Sequence, residues 1–211
     1  MAVKNIIKYG CCFLVLLFLF FAPTFLTKFI IGNITEIMIF GIFAMSLDIL
    51  IGYTGLVSLG HAVFLGIGTY SSALLILNNY SNIGLIFLIT ILASALAAVI
   101  IGYFSTKTTG VYFIMITLAF AQMLYSVAFK FKEITGGSDG LSGITRPTFF
   151  GLSIENYIYF YFFTLLLFLL CYLVLLQIVK SPLGNVLKGI KENENRMIAL
   201  GYNSTRFKII S

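Results

Sequence analysis

The sequence predicts an all-α, polytopic transmembrane helical bundle, with six spans and one amphipathic cytoplasmic helix. Three observations carry this. Of the 211 residues, 60% are hydrophobic and only 9% are charged, too few to coat a water-soluble core of this size. Apolar runs of about 20 residues recur, the length that crosses a bilayer as helix, whereas a β-barrel would show ten-residue segments of alternating polarity. The one amphiphilic piece lies near the C-terminus, over 181–206.

The first span runs over Ile6–Leu26, after Lys4 and Lys8. It is too long for a signal peptide and is followed by no small-x-small cleavage site. Span two is Ile34–Ile51. Span three is Leu56–Leu77 and begins inside a glycine-rich stretch. Asn78–Asn82 makes a polar turn. Span four is Ile83–Phe104 and span five Gly110–Phe129. A polar loop over 130–156, rich in Gly, Ser and Thr, precedes span six at Tyr157–Val179.

Orientation follows from the Lys/Arg bias. With the N-terminus inside, the inner side carries Lys4, Lys8, Lys107, Lys180, Lys188, Lys191, Arg196, Arg206 and Lys208. The outer side carries Lys28, Lys130, Lys132 and Arg146. Nine against four puts the N-terminus and 181–206 in the cytoplasm and the loop 130–156 outside. The net charge of +6 is thus a topology signal, not a nucleic-acid one.

Ser181-Pro182 is a helix start, since Ser can cap and Pro is tolerated in the first turn. Leu187, Ile190, Glu194, Met197 and Ile198 then recur at helical spacing, and Gly201 is a helix stop. Such a helix either lies on lipid headgroups or docks in a groove of a cytoplasmic partner.

The stretch Gly52–Tyr70 holds Gly52, Gly55, Gly60, Gly66 and Gly68, with His61, the chain's single histidine. Ser58, Ala62 and Gly66 form a helical stripe of small residues, as do Ser94, Ala98 and Gly102; both read as tight helix packing. Gly52–Gly60, with Thr54 and Ser58, is different: it interrupts the helix pattern. Non-helical backbone at membrane depth survives only inside protein or along a wet cavity. Asp48 and His61 flank this interruption and could pair with each other. Costly side chains of this kind face a partner or a water path. Gln122 reads as an interhelical hydrogen bonder, with Ser126 or a neighbouring span.

Gly136-Gly137-Ser138-Asp139-Gly140 fits G-x-S-x-G, but a serine nucleophile needs a base in reach and a strand–turn–helix elbow. His61 lies on the opposite side in this topology, so an enzyme is not expected. Cys11, Cys12 and Cys171 sit in apolar runs and read as small hydrophobes, not metal ligands or a disulfide framework. No metal cluster, P-loop or dinucleotide fingerprint appears.

Four ordered motifs then carry a resemblance. They are SLDILIGYTGLVSLGHAVFLGIGTYSSALL at 46–75, GVYFIMITLAFAQMLY at 110–125, TGGSDGLSGI at 135–144 and SPLGNVLKGIKENENRMIALGYNSTRFKI at 181–209. Together they resemble the LivM-type permeases of branched-chain amino acid ABC importers over nearly the whole chain. The resemblance implies a permease subunit in a bacterial plasma membrane, paired with a second, LivH-like permease. It implies two cytoplasmic ATPase subunits, which hold the ATP, and an extracytoplasmic substrate-binding protein. The chain itself would bind no cofactor. The segment around 184–200 resembles the part that couples to the ATPase, which makes Lys191, Glu192, Glu194, Ala199 and Gly201 coupling candidates. Asp48, Gly52, Thr54, Gly55, Ser58, His61 and Gln122 are candidates for the substrate pathway. The family carries more spans beyond the position of Ser211, so residues 1–211 are expected to be one permease domain, incomplete at its C-terminus. Urea, amide or sugar permeases of the same superfamily, and an ion-coupled secondary transporter, are the alternatives.

Overall fold

The computed structural model describes residues 17–80, 82–144, 148–149, 152–153 and 156–211. Most of the first predicted span, with Lys4, Lys8, Cys11 and Cys12, lies outside these residues. Helical backbone over 17–25 (α1) leads into α2 (Lys28–Asp48), a π-helical segment (Ile49–Thr54), α3 (Ala62–Leu77), α4 (Ile83–Ser105) and α5 (Val111–Lys130). Then come a single turn, α6 (Lys132–Thr135), a two-residue antiparallel pair of β1 (Thr148–Phe149) and β2 (Leu152–Ser153), and α7 (Tyr157–Lys180). The chain closes with α8 (Pro182–Ala199) and α9 (Ser204–Ile210).

Four of the described helical stretches are long and apolar enough to cross a membrane: Lys28–Thr54, Ile83–Ser105, Val111–Lys130 and Tyr157–Lys180. The chain is therefore a multi-pass membrane protein. Large apolar side chains such as Phe25, 85% exposed, point outward from the bundle, as a hydrocarbon solvent permits.

Short polar residues set the helix starts. Asn82 Oδ1 accepts the Gly84 N–H at 3.0 Å and opens α4; Asn156 Oδ1 accepts the Ile158 N–H at 3.1 Å and opens α7. Each satisfies an amide that the first turn leaves without a helical partner. The core gathers Ala22, Ile31, Met38, Tyr161 and Leu165 where α1, α2 and α7 meet. Tyr161 is fully buried, and its hydroxyl donates to the Leu19 carbonyl at 2.6 Å, which meets the need of a buried phenol for a partner. On the other side α3 lies along α4. A Cβ at Gly68 would stand 3.7 Å from Ser94 Oγ, so this glycine and the expected Ser94 stripe do meet.

Several boundaries differ from those expected. Span two begins at Lys28 and continues through the π segment to Thr54. Span three becomes helical only at Ala62, not Leu56, so Ser58 lies outside any helix and the stripe Ser58–Ala62–Gly66 does not exist. The sixteen residues of α3 cover about 24 Å, short of the roughly 30 Å of a hydrocarbon core. The extended residues before it, at about 3.3 Å each, supply the rest. Among the described residues of loop 130–156, α6 and the β pair are regular elements that the polar-loop reading did not anticipate. Because α7 joins this loop to α8, the two lie at opposite ends of the bundle.

A re-entrant break and the helix that holds it

The π segment ends at Gly55, whose φ of +76° is the left-handed conformation that glycine alone enters without cost. There the helix stops. Gly55 and Leu56 N–H both bond the Leu50 carbonyl, and Thr54 Oγ1 donates to the Ile49 carbonyl at 3.2 Å. Residues 56–60 then run outside any helix, and burial alternates along the stretch: Leu56, Ser58 and Gly60 are buried, while Gly55, Val57 and Leu59 are exposed. This period of two is the signature of strand-like backbone.

One hydrogen bond ties the segment to α5 and another closes within it. Leu59 N–H donates to Thr117 Oγ1 of α5 at 3.3 Å, and Gly60 N–H donates to Ser58 Oγ at 3.3 Å. A Cβ at Gly60 would lie 2.5 Å from the Thr117 carbonyl oxygen, so only glycine lets the two backbones approach this closely. Among the described residues, the N–H groups of Val57 and Ser58 and the carbonyls of residues 55–59 have no hydrogen-bond partner. Such groups are costly in lipid, and a polar ligand or water can satisfy them.

His61 closes the break. Its Nε2 lies 2.8 Å from Ser46 Oγ of α2, and Phe43 and Phe64 pack against its ring with centroids 5.0 and 5.7 Å away. Ser46 Oγ also lies 2.7 Å from the Phe43 carbonyl, to which it can donate. His61 Nδ1 is buried without a partner among the described residues. The expected Asp48–His61 pair does not form. Ser46 and Asp48 are two residues apart, about 200° around the helix, so a histidine bonded to one faces away from the other. Asp48 instead folds over Gly52 and lines a groove of about 330 Å³ between α2 and α7, with Met45, Tyr53, Tyr172 and Leu175.

Gln122 is exposed on α5 and does not bond Ser126 through its side chain; Ser126 Oγ donates to the Gln122 backbone carbonyl at 2.9 Å. Gln122 lines a larger, mostly apolar groove of about 790 Å³ between α3 and α5, closed at one end by Thr135, Gly137 and Ser138. The G-x-S-x-G stretch there is a glycine turn, with Gly136, Gly137 and Gly140 at positive φ. Ser138 Oγ donates to the Asp139 carboxylate at 3.1 Å, without a nucleophile elbow.

The coupling candidates sit at the break's own end of the bundle. Leu187 and Ile190 of α8 are buried, and Lys188 Nζ lies 5.2 Å from the Tyr53 ring centroid. Lys191 Nζ donates to the Gly52 carbonyl at 2.7 Å, so a coupling candidate and a pathway candidate are directly bonded. Ser181 does not cap α8; its hydroxyl turns back to the Ile178 carbonyl at 2.7 Å. Nor is α8 one helix. Asn193 leaves helical geometry (φ −158°, ψ 96°), and its Oδ1 accepts the Arg196 N–H at 3.0 Å, starting a second short helix. Asn203 repeats this at Arg206, 3.1 Å away. The stop at Gly201 is as expected: φ is +90°, with Gly201 N–H on Ile198 and Tyr202 N–H on Met197, a Schellman ending.

Glu194 does not face outward freely; it pairs with Lys208 of α9 at 2.6 Å, and Lys208 is only 5% exposed. Burial pushes the Glu194 carboxyl up. The hydrogen bonds from Lys208 and Ser204 and the Lys208 charge outweigh that and hold it below the ordinary carboxylate value. Glu192 and Ala199 remain exposed. Among the described residues no cluster of His, Cys, Asp or Glu could hold a metal ion. Sequence reasoning missed Ser46, Thr117, Asn193 and Lys208. Only Asn193 left a signal, the N-x-x-R spacing it shares with Asn203.

A multi-pass helical bundle with a glycine break bonded to an amphipathic helix has the character of a transport component. The comparisons agree: a family profile described as branched-chain amino acid transport system / permease component matches residues 29–211, and the chain belongs to that family. The high-affinity branched-chain amino acid transport system permease protein LivM of Salmonella typhimurium (strain LT2) is 30% identical over 200 residues, which cover 83% of this chain and 47% of the relative. The protein of the same description from Escherichia coli (strain K12) is 28% identical over 212 residues, covering 89% and 49%. The chain thus spans about half the length of these curated relatives. No solved structure matches it.

Proposed function

We propose that this chain is a membrane-spanning permease subunit of an ATP-driven importer of branched-chain, hydrophobic amino acids in a bacterial plasma membrane. The N-terminus is placed in the cytoplasm. The observation that carries the reading is the break: the N–H groups of Val57 and Ser58 and the carbonyls of 55–59, without partners among the described residues, lie between α2 and α5, next to Gly52, which Lys191 bonds to α8. An amino acid zwitterion presents a carboxylate and an ammonium, and this segment offers N–H groups and carbonyls side by side. Gly52, Thr54, Gly55, Ser58 and His61 shape it. Asp48 and Gln122 line flanking grooves whose apolar walls suit a branched side chain.

In this reading the exposed side of α8, with Glu192 and Ala199, meets a cytoplasmic ATPase subunit, while Lys191, Glu194 and Gly201 hold its shape. The partners are a second, LivH-like permease, two ATPase subunits that bind and hydrolyse ATP, and an extracytoplasmic binding protein. An ion-coupled mechanism through an Asp48–His61 pair finds no support in the geometry, since the two face apart. The test is uptake into liposomes holding the permease with these partners. ATP-dependent accumulation of leucine, isoleucine or valine is expected. Accumulation driven by an ion gradient without ATP, or of urea or a sugar instead, would refute the reading.

A further inference from the structure

We infer that Lys191 is a positioning residue that clamps the end of the broken helix and carries movement of α8 to the extended segment. This rests on the proposed reading of α8 and the break, and adds the residue that joins them. Lys191 was expected to face a partner. Instead its ammonium donates to the Gly52 carbonyl at 2.7 Å, and its stem lies over Gly55, where an added Cβ would come within 3.0 Å of Lys191 Cγ.

The location matters because of how the π segment ends. A helix terminus leaves carbonyls without amide partners and a partial negative charge. Here the Leu50 carbonyl is taken by Gly55 and Leu56, the two residues that follow the segment, and the Ile49 carbonyl by Thr54 at its end. Among the described residues, Gly52 alone in this segment has its carbonyl held by a side chain from a different element. The Gly52 carbonyl and the left-handed Gly55 are thus both covered by one side chain, that of Lys191. Leu187 and Ile190 keep α8 seated beside them. A shift of α8 removes the clamp at the residue where the extended segment begins, with no intervening contact.

Two measurements test this. In a background with Cys11, Cys12 and Cys171 replaced by serine, Ser58→Cys places a thiol on the buried face of the segment, and Leu56→Cys gives a second reporter there. The reagent reaches either only when the segment opens. Lys191→Met keeps the stem and removes the ammonium. It is expected to speed labelling about two- to fivefold, the range an exposed cation at a helix C-terminus supports, and Lys191→Arg to restore the slow rate. In the assembled transporter, Lys191→Met is expected to lower uptake per ATP hydrolysed by a similar factor while the ATPase still copurifies. Unchanged labelling at both reporters overturns the inference. So does loss of ATPase binding in Lys191→Met with labelling unchanged, since Lys191 would then be a docking contact. The labelling arm uses no substrate, so a failure of ATP-driven uptake in the unsubstituted transporter refutes the proposed function and leaves the clamp to be decided by labelling.

Discussion

Replacing Gly60 by alanine probes the re-entrant segment at its tightest point. The added methyl would lie 2.5 Å from the Thr117 carbonyl oxygen and 3.1 Å from its carbon. Both atoms are helix backbone and cannot swing aside as a side-chain end would. Either the segment or α5 must shift, which strains the Leu59 N–H bond to Thr117 Oγ1. Overpacking of this kind costs about 1–3 kcal/mol. Gly66→Ala is the control. It lies inside α3 with nothing within 4 Å of a new Cβ, and alanine in a helix interior is favoured over glycine by roughly 0.5–1 kcal/mol. The two substitutions add the same methyl six residues apart and are expected to act with opposite sign. Thermal unfolding of the purified proteins in detergent, followed by the fraction remaining monodisperse, reads the difference. A Gly60→Ala midpoint equal to the parent's, or Gly66→Ala as damaging as Gly60→Ala, would refute the close approach of the segment to α5.

Three further outcomes are expected. With single cysteines at positions 138 and 195, an impermeant thiol reagent in intact cells is expected to label Ser138→Cys and spare Asn195→Cys; the reverse pattern would invert the topology. Glu194 has its folded pKa depressed, so the Glu194–Lys208 pair contributes stability above the carboxyl's ordinary value and loses it as pH falls through the lowered value. A spin label at Ile210 is therefore expected to gain mobility on acidification, and Glu194→Gln to flatten that dependence. Gly201→Leu forces a branched residue to φ +90° at a cost of about 1–2 kcal/mol, so it is expected to loosen α9 from α8, measured by the same label.

The sequence by itself determined that the chain is a multi-pass helical membrane protein. Hydrocarbon demands long apolar helices with internally satisfied backbone, and that demand is written residue by residue. It also located the break, because glycines, hydroxyls and the lone histidine gather at one junction, and it located the helix stop at Gly201, which is a local property of one residue. Tertiary structure alone decided the rest. That residues 56–60 are not helical follows from contacts with α2 and α5: Thr117 lies 58 positions from Leu59, and no local pattern announces it. His61 chose Ser46 over Asp48 because helix phase puts only one of them on its side. Lys191 bonds the Gly52 carbonyl and Glu194 pairs with Lys208, although the resemblance made both candidates for contact with a cytoplasmic partner. A long flexible side chain has no preferred partner in sequence; packing brings a carbonyl within reach of Lys191 and a carboxylate within reach of Lys208, and charge complementarity does the choosing.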